Sequence, residues 1–144
     1  MPDPGSYILA RAMGRDILLE ASQLLEVLPA VPVRPLPGPV PGISGVILHQ
    51  GEFLPVLDWA GLPGTPGQVV WATALAVLKR RLALPLESLD GVLDSVGESS
   101  GFGVADGDPW EEIVACICPV GEARFPLLDA DKLVAWLHHQ RARH

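Results

Sequence analysis

The sequence predicts a mainly β protein made of two small barrels that share one core. Three observations support this fold class. Short runs of β-forming residues alternate with turns rich in Gly and Pro, a longer helical pattern occurs only near the C-terminus, and one plan of elements occurs twice at a period of roughly 70 residues. Five short strands without a long helix cannot bury both faces of an open sheet, so each copy most simply closes into a barrel.

The composition is that of an ordered globular domain, and it argues against a nucleic-acid partner. Of the 144 residues, 49% are apolar and 19% are charged, which favours a packed core over disorder. The net charge is −7, and only ten Lys and Arg residues are present to form the basic face that nucleic acids require. The one basic cluster, Lys79–Arg81, lies between two apolar runs and is interpreted as a charged hairpin turn.

Nothing in the sequence predicts membrane insertion or export. The longest nearly apolar run, Val69–Leu78, is too short to span a bilayer, and Met1–Ser6 lacks the basic region of a signal peptide. Cys116 and Cys118 lie two apart on one predicted strand, where they cannot easily bridge. They are interpreted as buried thiols in a reducing compartment, so we expect a cytoplasmic protein without a metal site or a cofactor.

In the first half of the chain, Tyr7–Met13 and Asp16–Leu19 are predicted strands around a tight turn. The next segment, Ala21–Leu28, is predicted as a short helix from the spacing of its apolar residues. The hairpin that follows spans Pro41–Asp58, with its turn at Gly51, and Asp58 is a candidate cap for a helical turn at Trp59 to Leu62.

Between the predicted helix and the hairpin lies a segment with prolines at positions 29, 32, 35, 37, 39 and 41. Such a segment cannot lie inside a sheet, so it is predicted to be an edge strand around Val31–Arg34 followed by a loop. A rigid connector is one interpretation. The alternative is a ligand for a proline-reading domain, beginning at Arg34-Pro-Leu-Pro37, although Val40 occupies the position of its last proline.

The second half repeats the pattern with one additional helix. Its predicted elements are a strand pair, Val69–Leu78 and Leu82–Leu86; a short helical or irregular piece, Ser88–Val96; a loop, Gly97–Pro109; a hairpin, Ile113–Cys118 with Arg124–Leu128; and a final helix. Asp129 is the predicted N-cap of that helix. The apolar face of the helix is predicted to contain Ala130, Leu133, Val134 and Leu137, with Trp136 beside it.

The internal repeat is clearest at the ends of the two hairpins. Gly51–Asp58 and Gly121–Asp129 both read Gly-Glu, apolar residues, Pro, two aliphatics and Asp, with one extra residue in the second copy. Upstream, Glu26-Val27-Leu28 corresponds to Gly91-Val92-Leu93, and each triplet follows a strand pair with a basic residue at its turn. Two barrels of this size would be marginal alone, so a shared interface and a groove along it are expected.

These residues resemble the CheW family of chemotaxis coupling proteins. The resemblance extends from about Tyr7 to Leu137 and is most specific between Leu24 and Asp58, through Leu-Leu-Glu-Val-Leu-Pro, Pro-Gly-Ile-Ser-Gly-Val-Ile and Gly-Glu-Phe-Leu-Pro-Val-Leu-Asp. It implies two intertwined five-stranded subdomains similar to SH3 barrels. The implied boundaries are about 14–78 for subdomain one, about 79–128 plus the N-terminal strand for subdomain two, and 129–144 for the C-terminal helix.

The resemblance also implies a function without catalysis. CheW-like proteins join the regulatory domain of a CheA-type histidine kinase to the cytoplasmic tip of a chemoreceptor. The implied residues of the receptor-binding groove are Leu24, Glu26, Val27, Ala83, Leu89 and Val92. The implied hairpin that contacts kinase and receptor contains Gly45, Leu48, His49, Gln50 and Gly51.

One departure from the family concerns the hairpin turn. The family usually reads Asn-x-Arg-Gly there, whereas this chain reads Leu48-His49-Gln50-Gly51. A neutral amide replaces a guanidinium that can form charged bidentate contacts. This departure leaves open a divergent signalling array, and also a self-associating or scaffold module with another protein partner.

Catalytic and metal-binding patterns are weak. Gly97-Glu-Ser-Ser-Gly101 has the spelling of a nucleophile elbow, but loop residues surround it where a strand and a helix are needed. The acids Asp106, Asp108, Glu111 and Glu112 lack a calcium-loop spacing, and the histidines His138, His139 and His144 lie near the end of the final helix. His49 and Gln50 are interpreted as surface residues, and the four tryptophans as packing residues.

Overall fold

The computed structural model describes residues 5–38, 40–59, 74–94 and 110–142. Single 3-10 turns occur at Ala21–Gln23 and Glu111–Ile113. The strands within the described residues are β1 (Tyr7–Ala12), β2 (Arg15–Glu20), β3 (Leu24–Pro29), β4 (Ile43–His49), β5 (Glu52–Leu57), β6 (Ala74–Leu78), β7 (Ala83–Leu86), β8 (Ser88–Leu93), β9 (Val114–Val120) and β10 (Ala123–Leu128), and helix α1 is Ala130–Ala142.

The strands form two five-stranded sheets, which confirms the predicted mainly β fold class. Sheet 1 has the order β8-β1-β2-β10-β9, and sheet 2 has the order β3-β6-β7-β5-β4. The first copy of the repeat supplies β1–β5 and the second copy supplies β6–β10. Adding five to the strand numbers of the first copy and subtracting five from those of the second converts one order into the other. Each copy therefore places its first two strands in one sheet and its last three in the other. This exchange of strands is the physical basis of the intertwined subdomains.

The predicted subdomain boundaries remain a prediction, but the strands can be placed against them. β2 lies inside the range 14–78 and is hydrogen-bonded in sheet 1, whereas β7 lies inside the range 79–128 and belongs to sheet 2. Two contacts join the copies within each sheet. One is antiparallel, between β3 and β6 in sheet 2 and between β1 and β8 in sheet 1. The other is parallel, with Val56 paired to Ala83 in sheet 2 and Leu127 paired to Leu18 in sheet 1.

Two segments that the sequence predicts as helical or irregular are strands. Ala21–Leu28 contains one 3-10 turn and then enters β3, and the described part of Ser88–Val96 forms β8. The physical reason is hydrogen bonding to a neighbour, because β3 pairs with β6 and β8 pairs with β1 along their lengths. Tertiary pairing therefore overrides the helical spacing of the apolar residues.

A bulge in each of these strands accounts for that spacing. The register shifts between Leu24 and Glu26 in β3, and between Leu89 and Gly91 in β8. A bulge adds one residue to its strand and interrupts the alternation of faces. Apolar residues of a bulged edge strand therefore recur at intervals of three, which is also the spacing of a helix.

Each sheet packs apolar clusters on both of its faces. β6 shows this directly, since Ala74, Ala76 and Leu78 enter a central core while Leu75 and Val77 enter a separate cluster on the opposite face of sheet 2. A third cluster, around Leu18, Cys118 and Leu127, covers the corresponding face of sheet 1. The central core joins residues of the two sheets to α1, including Ile8, Ile17, Leu24, Leu84, Leu86, Leu133, Trp136 and Leu137.

Helix α1 begins at the predicted cap. The carboxylate Oδ1 of Asp129 accepts hydrogen bonds from the backbone N–H groups of Asp131 and Lys132, at 2.9 and 3.1 Å. Ala130, Leu133 and Leu137 are buried as expected, and Trp136 is buried beside them, whereas Val134 is half-buried. In the described part of the chain, no helix is long and apolar enough to cross a membrane.

Trp59 and Trp110 stack in the central core, with ring centroids 5.0 Å apart and an interplanar angle of 5°. The indole N–H of Trp59 donates to the carbonyl of Pro85 at 2.7 Å, and the guanidinium carbon of Arg15 lies 4.8 Å from the Trp110 ring centroid. The packing role predicted for the tryptophans is confirmed for these two and for Trp136. Trp71 lies outside the described residues.

Candidate protein-binding surfaces

The residues predicted to form a receptor groove divide into buried and exposed sets. Leu24 is 1% exposed, and Ala83 is fully buried in the cluster on the far face of sheet 2. Neither side chain can contact a partner while its strand stays paired. Glu26 and Val27 are half-buried, and Val27 packs against the central core. The predicted groove residues on β3 therefore serve mainly to pack the core of the protein.

The exposed set lies on β8. Leu89 is 44% exposed and Val92 is 58% exposed, although both are aliphatic. They lie opposite Ala10 and Ile8 of β1, and both of these β1 residues belong to the central core. Because directly paired residues share a face, and because the bulge at Asp90 resets the alternation, Leu89 and Val92 lie on the same face of the strand. We call these two residues the edge pair.

The edge pair occupies the positions that are covered in the other copy. Aligning the two bulges makes Leu89 equivalent to Leu24, and Val92 equivalent to Val27. In the first copy these positions enter the central core, which also contains α1. In the second copy the same core-facing positions remain open to solvent. Exposed aliphatic residues at core-facing positions are typical of a surface that a partner covers.

The hairpin β4–β5 carries a second exposed apolar pair at its tip. Leu48 lies directly opposite Phe53, and their exposed fractions are 56% and 62%. We call these two residues the tip pair. The turn between them has positive φ at Gln50 (50°) and Gly51 (80°), as in a type I′ turn. Phe53 was not among the predicted site residues, although its cross-strand position opposite Leu48 would have identified it.

His49 and Gln50 have different environments. His49 is mostly covered, and its imidazole pairs with the carboxylate of Glu26, so the two edge strands of sheet 2 meet at this contact. Gln50 is exposed and lines a shallow pocket beside the tip. Arg81 lines the same pocket and hydrogen-bonds to Glu52. A guanidinium from the β6–β7 turn thus lies at the hairpin tip, next to the amide of Gln50.

Gly45 has a structural position. It is buried in β4, and a Cβ atom there would lie 2.3 Å from the carbonyl oxygen of Arg34 and 2.8 Å from Cγ1 of Val33. Any larger residue would push the proline-rich segment away from the strand. The residue type at position 45 is therefore explained by close backbone approach, and the predicted contact of Gly45 with kinase or receptor stays a prediction.

The two thiols lie close together in the cluster of sheet 1. Burial, together with the contact with Cys116 at 3.5 Å between Sγ atoms, raises the pKa of the Cys118 thiol to about 12. A thiol with so high a pKa is a poor nucleophile. Among the described residues, no group of three His, Cys, Asp or Glu side chains could hold a metal ion.

The remaining candidate catalytic and metal-binding residues are either exposed or lie outside the described residues. Glu111, Glu112, His138 and His139 are exposed. The Gly97–Gly101 segment lies outside the described residues, as do Asp106, Asp108 and His144.

Two comparisons with known proteins find similarity over most of the chain. A family model described as CheW-like domain matches residues 6–138. Among solved structures, the chain is similar to the scaffolding protein TtCheW from Thermoanaerobacter tengcongensis, with a TM-score of 0.74 and 15% sequence identity over 92% of this chain and 89% of that one. At that identity the structural likeness shows a shared fold. No curated protein matches the sequence.

Proposed function

Because the chain belongs to the CheW-like domain family, we propose that it is a non-catalytic cytoplasmic adaptor in chemotaxis-like signalling. In this proposal it couples the regulatory domain of a CheA-type histidine kinase to the cytoplasmic tip of a chemoreceptor. The observation that carries the proposal is the edge pair, which presents Leu89 and Val92 to solvent at positions that are core-facing in the other copy.

The edge pair suits an apolar helical partner. Two aliphatic side chains on one face of an edge strand, beside a packed core, provide an apolar strip against which the apolar face of a helix can pack. A receptor tip that offers apolar residues at i, i+3 and i+4 would bury both side chains. Full burial of an aliphatic side chain contributes about 1.5–3 kcal/mol, so these two residues would supply much of the affinity.

The tip pair suits a second protein partner. Leu48 and Phe53 project from a hairpin that is fixed by the His49–Glu26 contact, so the tip is rigid before binding. Exposed aromatic residues are common anchors in protein interfaces. We assign this surface to the barrel of the kinase regulatory domain, with Arg81 supplying the charged contact that Gln50 cannot make.

The test separates the two surfaces. Val92→Asp adds a charge to the edge pair, Phe53→Asp adds one to the tip pair, and Ala135→Glu adds one to an exposed position of α1 as a control. Binding to a receptor-tip fragment and to the kinase regulatory domain is measured by calorimetry. We expect Val92→Asp to weaken receptor binding at least about tenfold, Phe53→Asp to weaken kinase binding by as much, and the control to bind both normally.

Native protein that binds neither partner at tens of micromolar would contradict the proposed function. Equal losses of both partners in both variants would contradict the assignment of one surface to each partner.

A self-associating scaffold is the second candidate function, and Gln50 at the usual arginine position is the observation that favours it. In that case the tip pair would contact another copy of the chain. Light scattering distinguishes the two candidates, because a strictly monomeric protein that still binds the kinase contradicts self-association.

A further inference from the structure

The two thiols of the chain form a close pair on β9, an edge strand of sheet 1. Cys116 and Cys118 are the only cysteines in the sequence, and their Sγ atoms lie 3.5 Å apart. The strand is regular between them, because they pair with Leu127 and Phe125 of β10 in unbroken register. Residues two apart on a strand point to the same face, so both sulfurs lie in one apolar cluster. We call Cys116 and Cys118 the thiol pair.

The extended backbone disfavours a disulfide within the thiol pair. Residues two apart on a strand have Cα atoms about 6.6–6.8 Å apart, which is the upper end of the range for a disulfide. The sulfurs would have to approach each other by about 1.4 Å more to reach the S–S bond length of about 2.05 Å. The regular pairing of β9 with β10 opposes that contraction. The backbone therefore favours two free thiols, as the structure has them.

A metal ion held between the two sulfurs fits the same backbone better than a disulfide does. With sulfur–metal bonds of about 2.3 Å, two sulfurs on one ion lie about 3.8 Å apart at a tetrahedral angle and about 4.6 Å apart when the ion lies in line between them. From the observed contact, the thiol pair would have to open by only about 0.3–1.1 Å. Small rotations about the two Cα–Cβ bonds supply that movement without any change in the strand.

The number and kind of donors indicate which ion fits. Within the described part of the chain no third His, Cys, Asp or Glu side chain completes a metal-binding group, so the thiol pair lacks the four ligands of a structural zinc site. Thiolates are soft ligands, which select Cu(I), and Cu(I) accepts as few as two of them. Access comes from one side of the pair, because Cys118 is 2% exposed whereas Cys116 is half-buried.

We propose that Cys116 and Cys118 form a two-thiolate binding site for the soft monovalent cation Cu(I). On binding, each thiol releases its proton to solvent, one copper–sulfur bond forms at each sulfur, and the copper keeps its oxidation state. The spacing of the two cysteines in the sequence predicts no metal site, and the contact between their sulfurs is the observation that indicates one. The site goes beyond the adaptor function and does not rest on it, because it uses neither the edge pair nor the tip pair.

The probe is Cu(I) held by bicinchoninate, a coloured chelator that reports the copper it loses, titrated without oxygen into the reduced full-length protein. We expect about one Cu(I) per chain, with only sulfur neighbours in the copper X-ray absorption spectrum. Cys116→Ser and Cys118→Ala should each lower the affinity at least about 100-fold, because each removes one of the two ligands. The double variant His138→Ala/His139→Ala is the control, since these exposed histidines are alternative donors, and it should bind as native protein does.

Several results would overturn the proposal. These are no transfer of copper from the chelator, equal affinity in native protein and Cys116→Ser, or nitrogen neighbours around the copper. One copper per two chains, with a doubled mass, would assign the ion to a contact between copies and also overturn it. Melting curves identify folded variants, and Cys116→Ser, at the half-buried position, decides the matter if Cys118→Ala does not fold. Receptor and kinase binding by Cys116→Ser should equal that of native protein, so failure here is distinct from failure of the adaptor function.

Discussion

Strands β3 and β8 occupy the same place in the two copies of the repeat, yet one is covered and the other is open. Both are edge strands, both carry a bulge, and both pair with the first strand of a copy. Leu24 on β3 is 1% exposed, and its equivalent on β8, Leu89, is 44% exposed. The internal duplication thus allows equivalent positions to be compared. A core-facing residue that is exposed in only one of the two copies marks a candidate interface.

The cover over β3 has a physical source. Helix α1 follows the second hairpin, and its first turn is tied to the residue before β3, because the side-chain carbonyl of Gln23 accepts a hydrogen bond from the N–H of Ala130 at 3.2 Å. The backbone carbonyl of Gln23 accepts another from the N–H of Lys79. Leu24 is therefore enclosed beside α1 in the central core. Asymmetry between the copies arises from where this helix packs.

The largest expected loss of stability is at equivalent positions that are buried in both copies. Val56 and Leu127 make the parallel contact in their respective sheets, and both are buried. Val56→Asp and Leu127→Asp should each lower the free energy of unfolding by more than about 4 kcal/mol, because a carboxylate would enter an apolar cluster. Urea denaturation measures this loss. A melting temperature within a degree of native for either variant would show that its strand face is assigned wrongly.

The next largest effect is a difference in stability between equivalent positions that are buried in one copy and exposed in the other. Leu24→Ala should cost about 2–5 kcal/mol, as expected for a leucine truncated in a packed core. Leu89→Ala should change stability by less than about 1 kcal/mol, since its side chain is already half in solvent. The matched truncations are compared by denaturant midpoint. Equal losses would mean that β8 is covered as well as β3 is, and would remove the edge pair as an interface.

Much of the fold could be predicted because the repeat is visible in the sequence. The hairpin ends, Gly51–Asp58 and Gly121–Asp129, gave the period and the predicted barrels, and Asp129 gave the start of α1. Strands β3 and β8 could not be predicted, because the bulge in each produces helix-like spacing. The exchange of strands between sheets was implied by the family resemblance, since pairing between distant segments leaves no local pattern.

The candidate site was less predictable than the fold. Leu89, Val92 and Leu48 proved exposed, whereas Leu24 and Ala83 are buried, and sequence spacing cannot distinguish those outcomes without knowing where α1 packs. The close approach at Gly45 depends on a contact with the proline-rich segment.

A smaller effect contrasts the two apolar clusters in alkaline solution. The cluster of sheet 1 contains Cys118, whose pKa is raised to about 12 by burial, whereas the cluster of sheet 2 contains aliphatic side chains. An unfolded thiol ionises near pH 8.5, so the folded state retains the proton longer. The contribution of Cys118 to stability is complete below about pH 8.5 and is lost as pH rises toward 12, by at most about 1.4 kcal/mol per pH unit.

Hydrogen exchange measured between pH 8 and 11, corrected for intrinsic rates, should therefore show sheet 1 losing protection before sheet 2. Burial also raises the pKa of Tyr7, which adds to the effect in the same sheet. Cys118→Ala should flatten the pH dependence. Simultaneous loss of protection in both sheets, unchanged in Cys118→Ala, would show that another group controls the alkaline transition.

The smallest effect distinguishes the two hairpin turns. Gln50 has a positive φ, which is unfavourable for a residue with a Cβ, whereas in the second hairpin the positive φ falls on Gly121 and not on Glu122. Gln50→Asn should raise stability by roughly half a kcal/mol, because Asn adopts the left-handed region more readily. Glu122→Asn is the matched control and should give no gain. If both variants gain equally, the cause is asparagine in an exposed turn and not the left-handed backbone at Gln50. A gain confined to Gln50→Asn would show that the left-handed backbone of native Gln50 carries a conformational cost.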